Sequence, residues 1–132
     1  MDELLAAARD ALSKAYVPYS EYAVGAALET ADGTVFTGAN IEIANFSNSL
    51  HAEEVALARA MMEGHRDFDR IAVASAAEDG VTPCGMCRQT LAEFAGEEFT
   101  VIVEGDEGPE AHQLAALLPH AFSGDQVENH EP

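Results

Sequence analysis

Two short runs constrain this chain more than anything else in it. They are His51-Ala52-Glu53 and Pro83-Cys84-Gly85-Met86-Cys87, with one helical and one strand-like segment between them. One imidazole and two thiolates can hold a zinc ion and leave the fourth position to water. A fold that uses them must bring two remote helix starts to one point. Each run alone has an ordinary reading. A Cys-x-x-Cys pair is often a redox couple or half of a structural zinc site, and a His beside an acid is usually a surface or core residue. Together they read differently, because a redox couple needs no His and a closed structural site takes four protein ligands. Cys84 and Cys87 are the only cysteines, so four thiolates from one chain are excluded. His65, His112, His120 and His130 fall in turn-like or tail-like contexts and are read as solvated. Glu53 stands two residues after the first candidate ligand, where it can reach the water without binding the metal.

At 132 residues the chain fits one domain with one core. No apolar run approaches the ~20 residues needed to cross a bilayer. The start, Met1-Asp2-Glu3-Leu4-Leu5, lacks the basic and apolar stretches of a signal peptide. Two thiols spaced for metal fit a reducing cytoplasm. With 24 acids against 6 bases the net charge is −18. Nucleic-acid backbones and anionic membranes would be repelled, which favours a small neutral substrate. Lys14 is the only lysine and the acids are spread along the chain, as expected of a folded protein from a salt-accumulating organism rather than of an acidic tail.

Periodicity gives the order of elements. Asp2 to Tyr16 reads as an amphipathic helix ended by Pro18. Tyr22 to Thr30 and Thr34 to Thr37 form a hairpin about Ala31-Asp32-Gly33. A loop runs from Gly38 through Ser49, and His51 to Met62 is a helix stopped at Gly64. Ile71 to Ala76 is a buried strand, Glu78 to Pro83 a loop, Cys84 to Phe94 a helix, Phe99 to Glu104 a second buried strand, and Gln113 to Leu118 a short helix. The end of the chain, Gly124 to Pro132, is polar and expected to be mobile. This order implies an α/β domain with a mixed sheet and right-handed parallel crossovers. His51 and Cys84 both open helices that follow strands, so they can meet at one sheet edge, where helix N-termini also favour thiolates.

The combination of His-x-Glu with Pro-Cys-x-x-Cys is a known signature of zinc deaminases. The likeness extends further. Pro18-Tyr19-Ser20-Glu21-Tyr22-Ala23-Val24-Gly25-Ala26-Ala27-Leu28, Gly38-Ala39-Asn40-Ile41-Glu42, Pro83 to Gln89 and Leu117-Leu118-Pro119-His120-Ala121-Phe122 resemble four ordered motifs of the small, homotetrameric cytidine deaminases. The resemblance covers the chain up to Phe122. It implies a three-layer α/β/α sandwich with a mixed sheet of about five strands, formed by a single domain over residues 1–122, with 123–132 as a tail. It also implies one zinc per chain on His51, Cys84 and Cys87, with Glu53 as the catalytic acid and base. Asn40 and Glu42 would hold the ribose hydroxyls, and Tyr22 would pack beside the nucleoside. The Ala52 backbone would help hold the base, and the Thr82 carbonyl would face the leaving amine. Phe122 would stack on the base in a neighbouring subunit of a homotetramer with shared sites.

The activity so implied is hydrolytic deamination of cytidine and deoxycytidine in pyrimidine salvage. Two other readings compete. One is deamination of a cytosine-nucleoside antibiotic, as in the blasticidin-S deaminases, against which Asn40 and Glu42 point to an ordinary ribose. The other is a non-catalytic zinc-stabilised binding protein, against which Glu53 stands, since a structural site has no use for a carboxylate beside an open position. The chain also departs from the family it resembles. His51 stands where Cys is usual, Glu54 where Arg is usual and Ile43 where Asn is common. A third thiolate would add a negative charge that Arg offsets, so the first two departures make joint sense.

Overall fold

A computed structural model describes residues 3–76 and 82–123. Helix α1 (Glu3–Asp10) is followed by a 3-10 turn (Ala11–Lys14), then by strands β1 (Val24–Thr30) and β2 (Val35–Ala39). Helix α2 (Ala52–Met62), strand β3 (Phe68–Ser75), helix α3 (Gly85–Phe94), strands β4 (Ala95–Gly105) and β5 (Gly108–Gln113), and helix α4 (Leu114–Leu117) complete the described chain. The five strands form one sheet in the order β2-β1-β3-β4-β5. β1 runs antiparallel to both β2 and β3, β3 and β4 are parallel, and β5 returns antiparallel along β4. The mixed five-stranded sheet expected from the sequence is present.

Alternation along the strands divides the core in two. Ala27, Ala72, Ala74 and Ile102 face α1, where Leu4, Leu5 and Ala8 cover them. Ala26, Leu28, Ile71, Val73, Val101 and Val103 face the other way, against Ala52, Ala56, Leu57 and Ala60 of α2, Leu91 of α3 and Leu114 of α4. This is the three-layer arrangement. The α1 side is built from small residues because the helix lies close to the sheet. A Cβ at Gly25 would collide with the Ala8 carbonyl oxygen, and one at Gly38 would strike the backbone of Ala52 and Ala56. Gly38 therefore fixes how near the first turn of α2 sits to β2.

Several boundaries differ from expectation. The first helix ends earlier, because the chain at Tyr16 turns out to pair with the loop after β2. The Tyr16 N–H donates to the Asn40 carbonyl at 2.9 Å and the Glu42 N–H donates to the Tyr16 carbonyl at 2.8 Å. β3 begins at Phe68 and β4 at Ala95, directly after α3, so Gly96 lies in a strand rather than past a helix end. β5 is the strand that the periodicity misses: Gly-Pro-Glu-Ala-His-Gln has no alternating apolar face and forms on the exposed edge by pairing with β4. Part of the Glu78–Pro83 loop and the tail from 124 to 132 lie outside the described residues.

The sheet has one functional edge. Val24, Ala39 and Ser75 come together there through the pairings Val24–Ser75 and Gly25–Ala39. Arg9 braces the same edge from α1, donating to the Ser75 carbonyl at 3.0 Å and to the Glu104 carboxylate at 2.9 Å. The N-termini of α2 and α3 both open at this edge.

Candidate active site

His51 and Cys84 are the N-cap residues of α2 and α3, each in extended backbone just before its helix. Cys87 follows one turn into α3, on the buried side. The His51 Nδ1 lies 3.3 Å from the Cys84 Sγ and 3.4 Å from the Cys87 Sγ, and the three donor atoms all lie within 4.8 Å of one another. A tetrahedral zinc with Zn–S near ~2.3 Å and Zn–N near ~2.0 Å places N and S about 3.5 Å apart, so the donors fit that ion in spacing and in chemistry. The ring must then carry its proton on Nε2. Among the described residues this is the one such group of His, Cys, Asp and Glu side chains.

Neither Cys84 nor Cys87 is in a disulfide. Burial pushes the Cys87 thiol well up, and the neighbouring Glu53 charge adds to the effect. A bound dication reverses the balance, so metal uptake releases protons.

Glu53 is 6% exposed. Burial raises its carboxyl above the ordinary range, partly opposed by its own backbone N–H and by His51. It reaches a cavity of about 560 Å³ whose lining also includes His51, Ala52, Cys84 and Thr82. Cys87 is absent from that lining, so the donor set is closed on the protein side and open on the cavity side.

Of the residues expected to touch substrate, Asn40, Glu42, Ala52 and Thr82 line the cavity. Asn40 and Glu42 are both held in place. The Asn40 Oδ1 accepts the Val24 N–H at 2.9 Å and its Nδ2 donates to the Tyr22 carbonyl at 3.0 Å. The Glu42 Oε1 accepts the N–H groups of Tyr19 and Ser20, both at 3.0 Å. Bonds from Ser20 hold the Glu42 carboxyl below its ordinary range, so it is an acceptor.

Tyr22 and Phe122 are not in the lining. Tyr22 lies two residues before β1, 37% exposed. Phe122 is 58% exposed, and its carbonyl accepts from Gln89 Nε2 at 2.7 Å. The aromatic wall of the cavity is instead Tyr19 against Phe46, edge to face with centroids 5.7 Å apart. Phe46, 71% exposed in a 3-10 turn (Phe46–Asn48), is a residue that sequence reasoning passed over. Its signal was an aromatic in an otherwise polar run. Arg88 was also missed. Its guanidinium donates to the Pro83 carbonyl at 2.7 Å, the Leu117 carbonyl at 2.8 Å and the Thr82 Oγ1 at 2.8 Å. One side chain thus ties the loop before α3 to the end of α4.

Comparison with known proteins decides the family. Residues 1–103 match the model described as the cytidine and deoxycytidylate deaminase zinc-binding region. The chain belongs to this family. Among deaminases of the family, a protein named cytidine deaminase from Sporosarcina psychrophila is 41% identical over 128 residues, 96% of this chain and 94% of that one. Another so named, from Halalkalibacterium halodurans, is 40% identical over 127 residues, 96% of each. The crystal structure of a cytidine deaminase from Burkholderia pseudomallei superposes with a TM-score of 0.85 at 39% identity, covering 91% of this chain and 97% of that one. That of a cytidine deaminase from Mycobacterium tuberculosis gives 0.81 at 36%, covering 91% and 94%. Zinc is the metal of the family's binding region, and His51, Cys84 and Cys87 are positioned to bind it.

Proposed function

We propose that the protein hydrolyses cytidine and deoxycytidine to uridine and deoxyuridine, releasing ammonia. The observation that carries the reading is a buried carboxylate, Glu53, on the same cavity wall as an open His-Cys-Cys donor set. A zinc ion held by His51, Cys84 and Cys87 supplies a Lewis acid and acidifies water towards a pKa of ~7. Glu53 takes the proton of the attacking water and passes it to N3 of the ring, which makes carbon 4 electrophilic. Oxygen bonds to carbon 4, the carbon–nitrogen bond breaks, and Glu53 delivers the second water proton to the departing amine. A carboxyl raised by burial holds a proton more readily than an exposed one, which suits a group that both accepts and donates it.

The cavity also favours a nucleoside over a nucleotide. Its described lining contains the carboxylates Glu42 and Glu53 and no Lys or Arg, and a phosphate would meet the field of a chain with net charge −18. Asn40 and Glu42, preset by their backbone contacts, are placed to receive ribose hydroxyls, which favours cytidine over an antibiotic substrate. Ala52 and Thr82 take the base and the leaving amine. Residues 1–122 act as one domain in a cytoplasmic homotetramer of pyrimidine salvage, from a halophilic source. Phe122, exposed and outside its own chain's cavity, serves a neighbour's site, with Tyr22 packed at the rim.

The experiment is an ultraviolet assay over cytidine, deoxycytidine, deoxycytidine monophosphate, cytosine and adenosine. The two nucleosides are expected to turn over at least ~10-fold faster than the others, one missing or repelled contact being worth that factor. Comparable rates on the monophosphate would overturn the nucleoside reading, and no turnover on any of them would overturn the enzyme reading.

A further inference from the structure

We propose that Glu54 is a positioning residue for the metal centre, holding the His51 backbone so that the imidazole meets the two thiols. The proposal rests on the metal-centre reading above. An N-cap residue ordinarily turns its side chain to the open N–H groups of its helix. His51 caps α2, and its Nδ1 also lies 3.3 and 3.4 Å from two sulfurs, so the ring is shared with the ligand set. Glu54, at the third helical position, supplies the return arm of a capping box: its Oε1 accepts the His51 N–H at 2.9 Å. A metal ligand stands where such a box ordinarily has Ser or Thr.

The residue before is fixed as well. Leu50 and Ile41 exchange N–H···O bonds of 2.8 and 2.9 Å. The ligand's backbone is therefore clamped between a bridge to the loop and a side chain of its own helix. Cys84 and Cys87 ride on a different helix, so any drift of residue 51 changes the distance from Nδ1 to both sulfurs. An Arg at this position would have no acceptor and could not make this bond.

Three substitutions separate reach from charge. Glu54→Gln keeps an acceptor of the same length and loses the charge. Glu54→Asp keeps the charge and is one methylene too short. Glu54→Ala loses both. Zinc affinity is read by competition with a chromophoric chelator, and thermal melts of each variant check folding. Glu63→Ala, at the far end of α2, controls for net charge. Glu54→Gln and Glu63→Ala are expected to stay within about threefold of wild type, while Glu54→Asp and Glu54→Ala lose ~10–100-fold, the usual worth of a contact that orients a ligand. Wild-type affinity in Glu54→Ala would overturn the proposal, as would loss in Glu54→Gln with retention in Glu54→Asp, which would make charge the cause. A wild-type protein without zinc would instead overturn the metal reading itself.

Discussion

Glu53 sits at the second position of α2, 6% exposed, with its carboxyl raised by burial. Glu42, in the lining of the same cavity, is held below its ordinary range by Ser20 and Tyr19. The two carboxylates of one cavity are thus shifted in opposite directions, as the proposed acid–base role of Glu53 and binding role of Glu42 require. Replacing Glu53 by Gln preserves shape and hydrogen bonding but removes the proton shuttle. We expect Glu53→Gln to keep its zinc and its melting temperature while turnover falls ~10²–10⁴-fold; metal analysis, a thermal melt and the cytidine assay measure the three. At this scale the sequence was most legible where chemistry needs a rare residue type. His51, Cys84 and Cys87 were readable as a donor set because few other arrangements use them. Phe46 and Arg88 were not, because an aromatic in a loop and an Arg in a helix have many ordinary uses, and only the folded chain shows the three acceptors around one guanidinium.

At the scale of elements, the two ligand-bearing helices start where two strands end, and that much follows from pattern alone. Strand limits did not, since pairing extends strands beyond their apolar runs: β3 starts at Phe68 and β4 at Ala95. β5 was hidden because its stability comes from the neighbouring backbone rather than from a buried face. The first helix stops early because Tyr16 gains backbone partners at Asn40 and Glu42. Arg88 is the tie between elements whose loss should be felt most. Lys in its place has its three donors on one nitrogen rather than spread over a planar fork, so it reaches fewer of the separated acceptors, Thr82 Oγ1 and the carbonyls of Pro83 and Leu117. We expect Arg88→Lys to lose ~1–3 kcal/mol of stability, seen as a fall of several degrees in melting temperature, with KM for cytidine rising because Thr82 faces the cavity. An unchanged melt and KM would remove Arg88 from the account.

For the whole molecule, charge and assembly are the open properties. A net charge of −18 on 132 residues repels itself unless screened, so the melting temperature should rise along a salt series; a flat or falling series would count against a halophilic source. Shared sites predict rescue between two crippled variants. Glu53→Ala and Phe122→Ala, co-expressed, should give more activity than the sum of the two alone, because some pairs combine an intact Glu53 with an intact Phe122 from another chain. Confirmed mixed oligomers without rescue would confine Phe122 to its own subunit. Bound zinc and Glu53 together turn cytidine into uridine in the proposed reaction, which a titration of metal against turnover checks. Purified protein is stripped with a chelator, reloaded stepwise with zinc, and assayed for uridine at each step. Activity is expected to vanish on stripping and to return in proportion to bound metal, saturating at about one zinc per chain. Full uridine formation by protein shown to hold no metal would contradict it.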